Sequence, residues 1–351
     1  MLAAHVLAFV QILMVNHFFV VKTIDGMNTE LIAGMVMVWL GAVLLMALRG
    51  SSWRWLLIAG VVFGMLALTK ATGAYVALVV CPAVALAMSG LSKRFWVSLL
   101  AISFGFMLAV MPWLVRNQVL FSRPVIAQGG GDVLLIRSSF NQMNRRQFID
   151  AFYAYAPKPV RRDLLGAWMG LSDEDFSCDG RLSVFNRRLG CDQLALKEGR
   201  YEDVRSFYQR GKKAIPAALS FTRDQGKALP IRSFRQQPLN ALATTLPIGW
   251  RGFWGFSPSS WPGIVLNVLS YTALLLAPLF AVVEQRVSWL MVSIVPVSFF
   301  VFYGLLSHFL PRYSSPLVPA SLVCIAMLVV DLIVRLVSRL WPASVSPVRL
   351  R

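Results

Sequence analysis

The chain has 351 residues, 57% of them hydrophobic and only 14% charged. That balance excludes an ordinary soluble domain. A formal net charge of +18 points to an anionic surrounding, either lipid headgroups beside a solvated basic surface or an anionic substrate such as a lipid phosphate or an acidic glycan.

The apolar residues are gathered into runs of about 17–23, the length a helix needs to cross a bilayer. In chain order these are Leu2–Val21, Leu31–Leu48, Trp53–Thr69, Ala71–Met88, Phe95–Leu114, Trp261–Val283, Val287–Leu306 and Pro316–Val337. They are continuous and do not alternate, so they predict helices and not barrel strands. The first run has no basic residues before it and reads as a membrane helix, not a cleaved leader. The predicted fold class is an all-α polytopic membrane protein of about eight transmembrane helices. A mainly helical external domain is inserted between the fifth and sixth. The boundaries are 1–115 for helices one to five, 116–260 for the external domain, 261–338 for helices six to eight, and 339–351 for a cytoplasmic tail.

Short-loop basic residues set the orientation. With Met1 cytoplasmic, that side holds Arg49, Arg54, Lys93, Arg94, Arg286, Arg335, Arg339, Arg349 and Arg351, whereas the opposite loops hold only Lys22, Lys70 and Arg312. Both termini are therefore expected in the cytoplasm, with the large domain outside an inner (plasma) membrane. The arginine-rich domain does not oppose this, because long loops translocate largely regardless of charge. An external site also excludes nucleic acid as a partner.

Within the inserted domain, "NQMNRRQFIDAFYAY" and "DQLALKEGRYEDVRSFYQRGKKA" carry apolar residues at helical spacing, and "SDEDFSCDGRLS" between them reads as a loop. Cys178 and Cys191 both fall here, where a disulfide can form. Cys81 and Cys324 lie in apolar runs and read as small core residues. Further on, Pro238 can open a helix in which Leu239, Leu242 and Leu246 share a face. Trp250, Phe253, Trp254, Phe256 and Trp261 then crowd the boundary, where such rings anchor at headgroups. The segment predicts an amphipathic helix on the outer surface.

Residues able to do chemistry are few. Near the outer boundary the acids are Asp25, Glu30 and Asp132; the cations are Lys22, Lys70, Arg116 and Arg312, with Arg123 further out. Each cation has a plain reading as a snorkelling end-cap. Lys70 stands out because two apolar helices meet there with almost no loop, so its ammonium must find water, a carboxylate or a phosphate. Arg116 and Asn117 are expected to end the fifth helix. Gly129, Gly130 and Gly131 follow, and a glycine run can offer backbone N–H groups to a phosphate or simply turn. His308 lies near Arg312 and Tyr313; His5, Gln11, Asn16 and His17 dot the first run and are expected to face other helices. No metal-binding spacing, phosphate-binding loop, dinucleotide fingerprint or nucleophile elbow occurs.

Four stretches taken together carry a resemblance: "NTELIAGMVMVWLGAVLL" with Glu30, "GVVFGMLALTKATG" with Lys70, "MPWLVRNQVLF" with Arg116 and Asn117, and "LPRYSSPLVPA" with Arg312 and Tyr313. In content and order they resemble the GT-C superfamily of polyprenyl-phosphate-sugar-dependent membrane glycosyltransferases, which includes the dolichyl-phosphate-mannose protein mannosyltransferases and the aminoarabinose lipid A transferases. The resemblance implies a sugar transferred, with inversion, from a polyprenyl phosphate to a glycan, lipid or protein acceptor at the outer membrane face. Lys70, Arg116, Asn117, Arg312 and Tyr313 would hold the lipid phosphate, with Gly129–Gly131 nearby. A carboxylate would take the acceptor proton, and a divalent metal is left open as cofactor.

The family's main catalytic aspartate lies in a long first external loop. Here that loop is only "KTIDGMNTE", so the chain is expected to be short at its N-terminal side. The base then falls to Glu30 or Asp25. Three further readings stay open: a non-catalytic relative that binds lipid-linked sugar or assists a partner, an O-antigen ligase-like enzyme, and a transporter of lipid-linked glycans.

Overall fold

The computed structural model describes residues 29–50, 52–127, 130–186, 190–220, 225–255 and 260–340, and these are helical with no strand among them. Four long helices come first: α1 (Thr29–Gly50), α2 (Trp53–Thr69), α3 (Thr72–Ser89) and α4 (Lys93–Phe121). The inserted segment opens with α5 (Gly130–Phe140) and α6 (Arg145–Tyr155). It closes with α7 (Gln225–Gln236), α8 (Pro238–Ala243) and α9 (Thr245–Gly252). The bundle is completed by α10 (Trp261–Val283), α11 (Val287–Leu306), the short α12 (Pro311–Ser314) and α13 (Val318–Leu340).

Six stretches are long and apolar enough to cross a membrane: α1, α3, α4, α10, α11 and Pro311–Leu340; α2 is apolar but only 17 residues long. The chain is thus a helical membrane protein. The first predicted crossing, Leu2–Val21, lies outside the described residues, as do His5, Gln11, Asn16, His17, Lys22, Asp25, Gly129, Phe256 and most of the 339–351 tail.

Helix ends follow local chemistry. Glu30 stands in the first turn of α1 and Arg49 in its last, each opposing the helix macrodipole. Ser52 caps the start of α2, its hydroxyl accepting the Arg54 N–H at 3.3 Å. In the bundle, α2 packs between α1 and α4, and α11 packs against α1, α3, α10 and α13. The α2–α4 crossing is set by glycine. A Cβ on Gly60 would lie 2.0 Å from the Ile102 carbonyl oxygen, and one on Gly105 would lie 2.1 Å from that of Leu57. Both positions need glycine because the two backbones touch.

Several expectations change. Hydropathy ends the fifth predicted run at Leu114, yet α4 continues to Phe121 and spans roughly 44 Å. The sequence from Leu114 to Phe121 contains no breaker. The helix stops at Ser122, in the left-handed region at φ 53°, whose N–H bonds to the Asn117 carbonyl. Arg116 and Asn117 therefore lie inside the last turns of α4 and do not end it. Gly130 and Gly131 form the first turn of α5 and are not a loop.

The stretch from Asp192 to Ala214, where apolar residues fall at helical spacing, is broken into short pieces: Gln193–Lys197, Tyr201–Asp203, Phe207–Gln209 and Arg210–Ala214. Gly199 takes φ 71°. The buried Asp192 carboxylate then accepts the N–H groups of Arg205 at 2.9 Å and Ser206 at 3.1 Å, folding the chain back. The loop "SDEDFSCDGRLS" holds a 3-10 turn at Asp173–Phe176, capped by Ser172. Cys178 and Cys191 form a disulfide across 13 positions, and Arg181 pairs with the buried Asp150. Cys81 and Cys324 are buried free thiols.

Three of the boundary aromatics, Trp250, Phe253 and Trp254, pack inward, whereas Trp261 is exposed. Trp254 is buried and clusters with Ala156, Val160 and Ile264, while Trp250 and Phe253 pack onto it. The Trp250 indole donates to the Phe152 carbonyl at 2.9 Å. These rings join the inserted segment to α10. Burying their large apolar area between elements outweighs leaving it at a headgroup layer.

Candidate functional site

Two helix starts and one junction meet at the same end of the bundle. Glu30 opens α1, and Lys70 stands where α2 stops, its backbone extended at φ −138° before α3 begins. Because α1 packs on α2, the Lys70 ammonium donates to Glu30 Oε1 at 2.7 Å. Both side chains are largely covered. Tyr303, in the last turn of α11, is buried at this end of the bundle. Its ring stacks on Tyr313 with centroids 5.4 Å apart. The Arg312 guanidinium sits 5.3 Å from the centroid of the Tyr313 ring, and the His308 ring meets Tyr313 edge-on at 5.5 Å.

Beside this cluster is a cavity of about 620 Å³. Its walls come from α5 (Asp132, Val133, Ile136), from the inserted segment (Tyr208, Lys212) and from the run His308–Tyr313. Two cations, Arg312 and Lys212, and one carboxylate, Asp132, line it. Lys212 leans on Tyr208, donating to its hydroxyl at 3.4 Å. Asp132 forms no ion pair with a described residue. Such a lining can hold an anionic group against the cations while a carboxylate faces whatever binds alongside.

A buried arginine fixes the cavity's frame. Arg137 of α5 is fully enclosed, and every hydrogen-bond acceptor it meets is uncharged. Its Nε donates to the Leu305 carbonyl at 3.0 Å and to the Gly304 carbonyl at 3.3 Å, at the C-terminal end of α11. Its Nη1 donates to Asn141 and to Thr244 Oγ1, and its Nη2 to the Ala241 carbonyl at 2.8 Å and to Thr245 Oγ1. Burial lowers its pKa from the usual arginine value to about 10, so the group stays charged at neutral pH. It satisfies exposed carbonyls at the end of α11 while supplying positive charge to the negative end of that helix.

Of the residues singled out in the sequence, Glu30 pairs with Lys70 and Arg312 lies against Tyr313. Arg116 and Asn117 have a different, local role. The Asn117 amide donates to the Val125 carbonyl at 2.7 Å and accepts from Arg116 at 3.1 Å. Trp113 donates to the Ile126 carbonyl at 3.1 Å, and Arg116 lies 4.8 Å above its ring. Together they staple the turn after α4, which packs on α2 and α3. No contact joins them to either pair among the described residues. Gly130 and Gly131 face open space, where an added Cβ meets nothing within 4 Å.

Sequence reading did not single out Lys212, Tyr208 or Tyr303. Tyr208 and Lys212 are four residues apart, a spacing that gave a weak hint of a shared face. Among the described residues no group of three or more His, Cys, Asp or Glu could hold a metal ion. No protein-family model, curated protein or solved structure matches the chain.

Proposed function

We propose that this protein is a membrane glycosyltransferase that moves a sugar from a polyprenyl-phosphate donor to an acceptor hydroxyl. In this reading both termini are cytoplasmic, the chain crosses an inner membrane about eight times, and the cavity opens on the outer side. The observation that carries the reading is the position of Arg312. It lines a polar cavity at the end of the membrane helices, against Tyr313, whose ring stacks on Tyr303. A lipid phosphate at that level keeps its chain in the bilayer and its charge beside a guanidinium. The acceptor oxygen attacks the anomeric carbon, the carbon–oxygen bond to the phosphate breaks, and a carboxylate takes the acceptor's proton. Asp132, on the cavity wall, suits that last role better than Glu30, which is engaged by Lys70.

The same engagement favours a second reading, in which the chain binds a lipid-linked sugar without transferring it. The test common to both is binding of a short polyprenyl phosphate to the full chain in nanodiscs. Arg312→Ala is expected to weaken binding by about tenfold or more, the loss of one charge-assisted contact. Equal affinity in parent and variant overturns the phosphate site. Release of free polyprenyl phosphate from a polyprenyl-phosphate sugar by the parent chain then separates transfer from binding.

A further inference from the structure

The segment from Pro238 to Gly252 has two unlike faces. Ala241, Thr244 and Ile248 are buried, whereas Leu239, Leu242 and Leu246 are 81%, 61% and 65% exposed. The three leucines follow one another at spacings of three and four, so they form a stripe along α8 and α9. A soluble surface would not leave such a stripe open to water.

The depth of the stripe follows from what α9 touches. The 20 residues of α11 extend roughly 30 Å, about the thickness of the hydrocarbon layer. α9 rests on the last two turns of that helix. A Cβ on Gly304 would lie 3.2 Å from the Thr245 methyl, and one on Gly249 would lie 3.7 Å from the Phe300 ring. Arg137 locks the arrangement by bonding to the Gly304 and Leu305 carbonyls and to Ala241, Thr244 and Thr245 together. The leucine stripe is thereby held level with the end of a membrane helix. Val301, in the same turns of α11, is itself 45% exposed. Just before the stripe, α7 carries the exposed Arg232 and Arg235, neither in an ion pair with a described residue.

We infer that α8 and α9 lie in the lipid interface, with Leu239, Leu242 and Leu246 among the acyl chains and Arg232 and Arg235 toward headgroup phosphates. The occupant of the stripe is the lipid leaflet itself. Apolar side chains beside basic ones, pinned at the depth where hydrocarbon meets headgroup, match that partner. The inference stands independently of any transfer reaction.

Depth measurement tests it. The full chain is reconstituted in nanodiscs of phosphatidylcholine and phosphatidylglycerol. Leu239→Cys, Leu242→Cys and Leu246→Cys are each labelled with a nitroxide in a Cys81→Ala, Cys324→Ala background. Val301→Cys serves as the acyl reference and Leu194→Cys, on an exposed site of the inserted segment, as the aqueous one. The expected result is preferential collision with oxygen over a nickel chelate, as at Val301. Labels that behave as at Leu194 overturn the inference. Labels shielded from both quenchers, with spin–spin coupling between chains, overturn it in favour of a second copy. The unsubstituted chain gives a second measurement: a phospholipid carrying an acyl-chain diazirine should leave adducts on residues 239–246, and labelling confined to α1–α4, α10, α11 and α13 overturns the inference.

Discussion

The ammonium of Lys70 and the carboxylate of Glu30 meet at 2.7 Å across a separation of 40 residues. The pair ties the start of α1 to the α2–α3 junction. Glu30→Gln and Lys70→Ala each leave a largely covered charge without its partner, and each is expected to cost about 1.5–3 kcal/mol. The double variant should cost less than the sum of the two, because it leaves neither charge stranded. Thermal unfolding of the four proteins in one detergent measures the coupling. Strict additivity would show that the pair contributes nothing.

Arg137 makes a sharper case. Arg137→Met removes the donors that satisfy carbonyls at the end of α11 and is expected to cost about 3 kcal/mol or more. Arg137→Lys keeps the charge but loses the planar fork that reaches α8, α9 and α11 at once, so it should rescue little. Limited proteolysis of the inserted segment, compared with unfolding of the whole chain, reads out the loss. Parent-like resistance in Arg137→Lys would contradict the role assigned to the fork.

The Cys178–Cys191 disulfide closes a short loop in the inserted segment. Cys178→Ser with Cys191→Ser is expected to lower the segment's stability by about 3 kcal/mol. Non-reduced peptide mapping should show the bridge directly. Two free thiols in protein taken from an oxidising compartment would remove both the bond and the orientation that exposes it.

Arg116 separates a loop staple from a ligand contact. Arg116→Ala should leave polyprenyl-phosphate affinity unchanged while loosening the turn after α4, seen as faster amide exchange at Val125 and Ile126. A tenfold fall in affinity, equal to that expected for Arg312→Ala, would return Arg116 to the phosphate site.

Orientation is tested by labelling whole cells. Asp179 is 99% exposed at its side chain, and Arg94 sits in the first turn of α4. With an impermeant thiol reagent, Asp179→Cys should label at once and Arg94→Cys only after permeabilisation. The reverse pattern would invert the chain in the membrane.

The long helices were legible because hydropathy reports burial in lipid directly, and α10 and α11 match their predicted limits. α4 was not, because hydropathy falls at Arg116 while helix propensity does not, so the apolar run ended before the helix did. Glu30, Lys70 and Arg312 could be assigned to one boundary from sequence. Their pairing could not, since it depends on which helices pack side by side. Arg137 was missed for a plainer reason. A basic residue in a basic segment reads as surface, and nothing in "GGDVLLIRSSF" signals the carbonyls that enclose it. Lys212 and Tyr208 were hidden by the fragmentation after Asp192, where tertiary bonds to one carboxylate override helical spacing.

The paired glycines of α2 and α4 bear on how the protein can move. With Gly60 and Gly105 set backbone to backbone, neither helix can slide along the other by a fraction of a residue without collision. The two helices therefore form one stiff plate. Across the bundle, the link between α11 and α12 turns through Phe309, held at φ 31°. One wall of the protein is a fixed abutment, and any rearrangement of the bundle must take place between other helices.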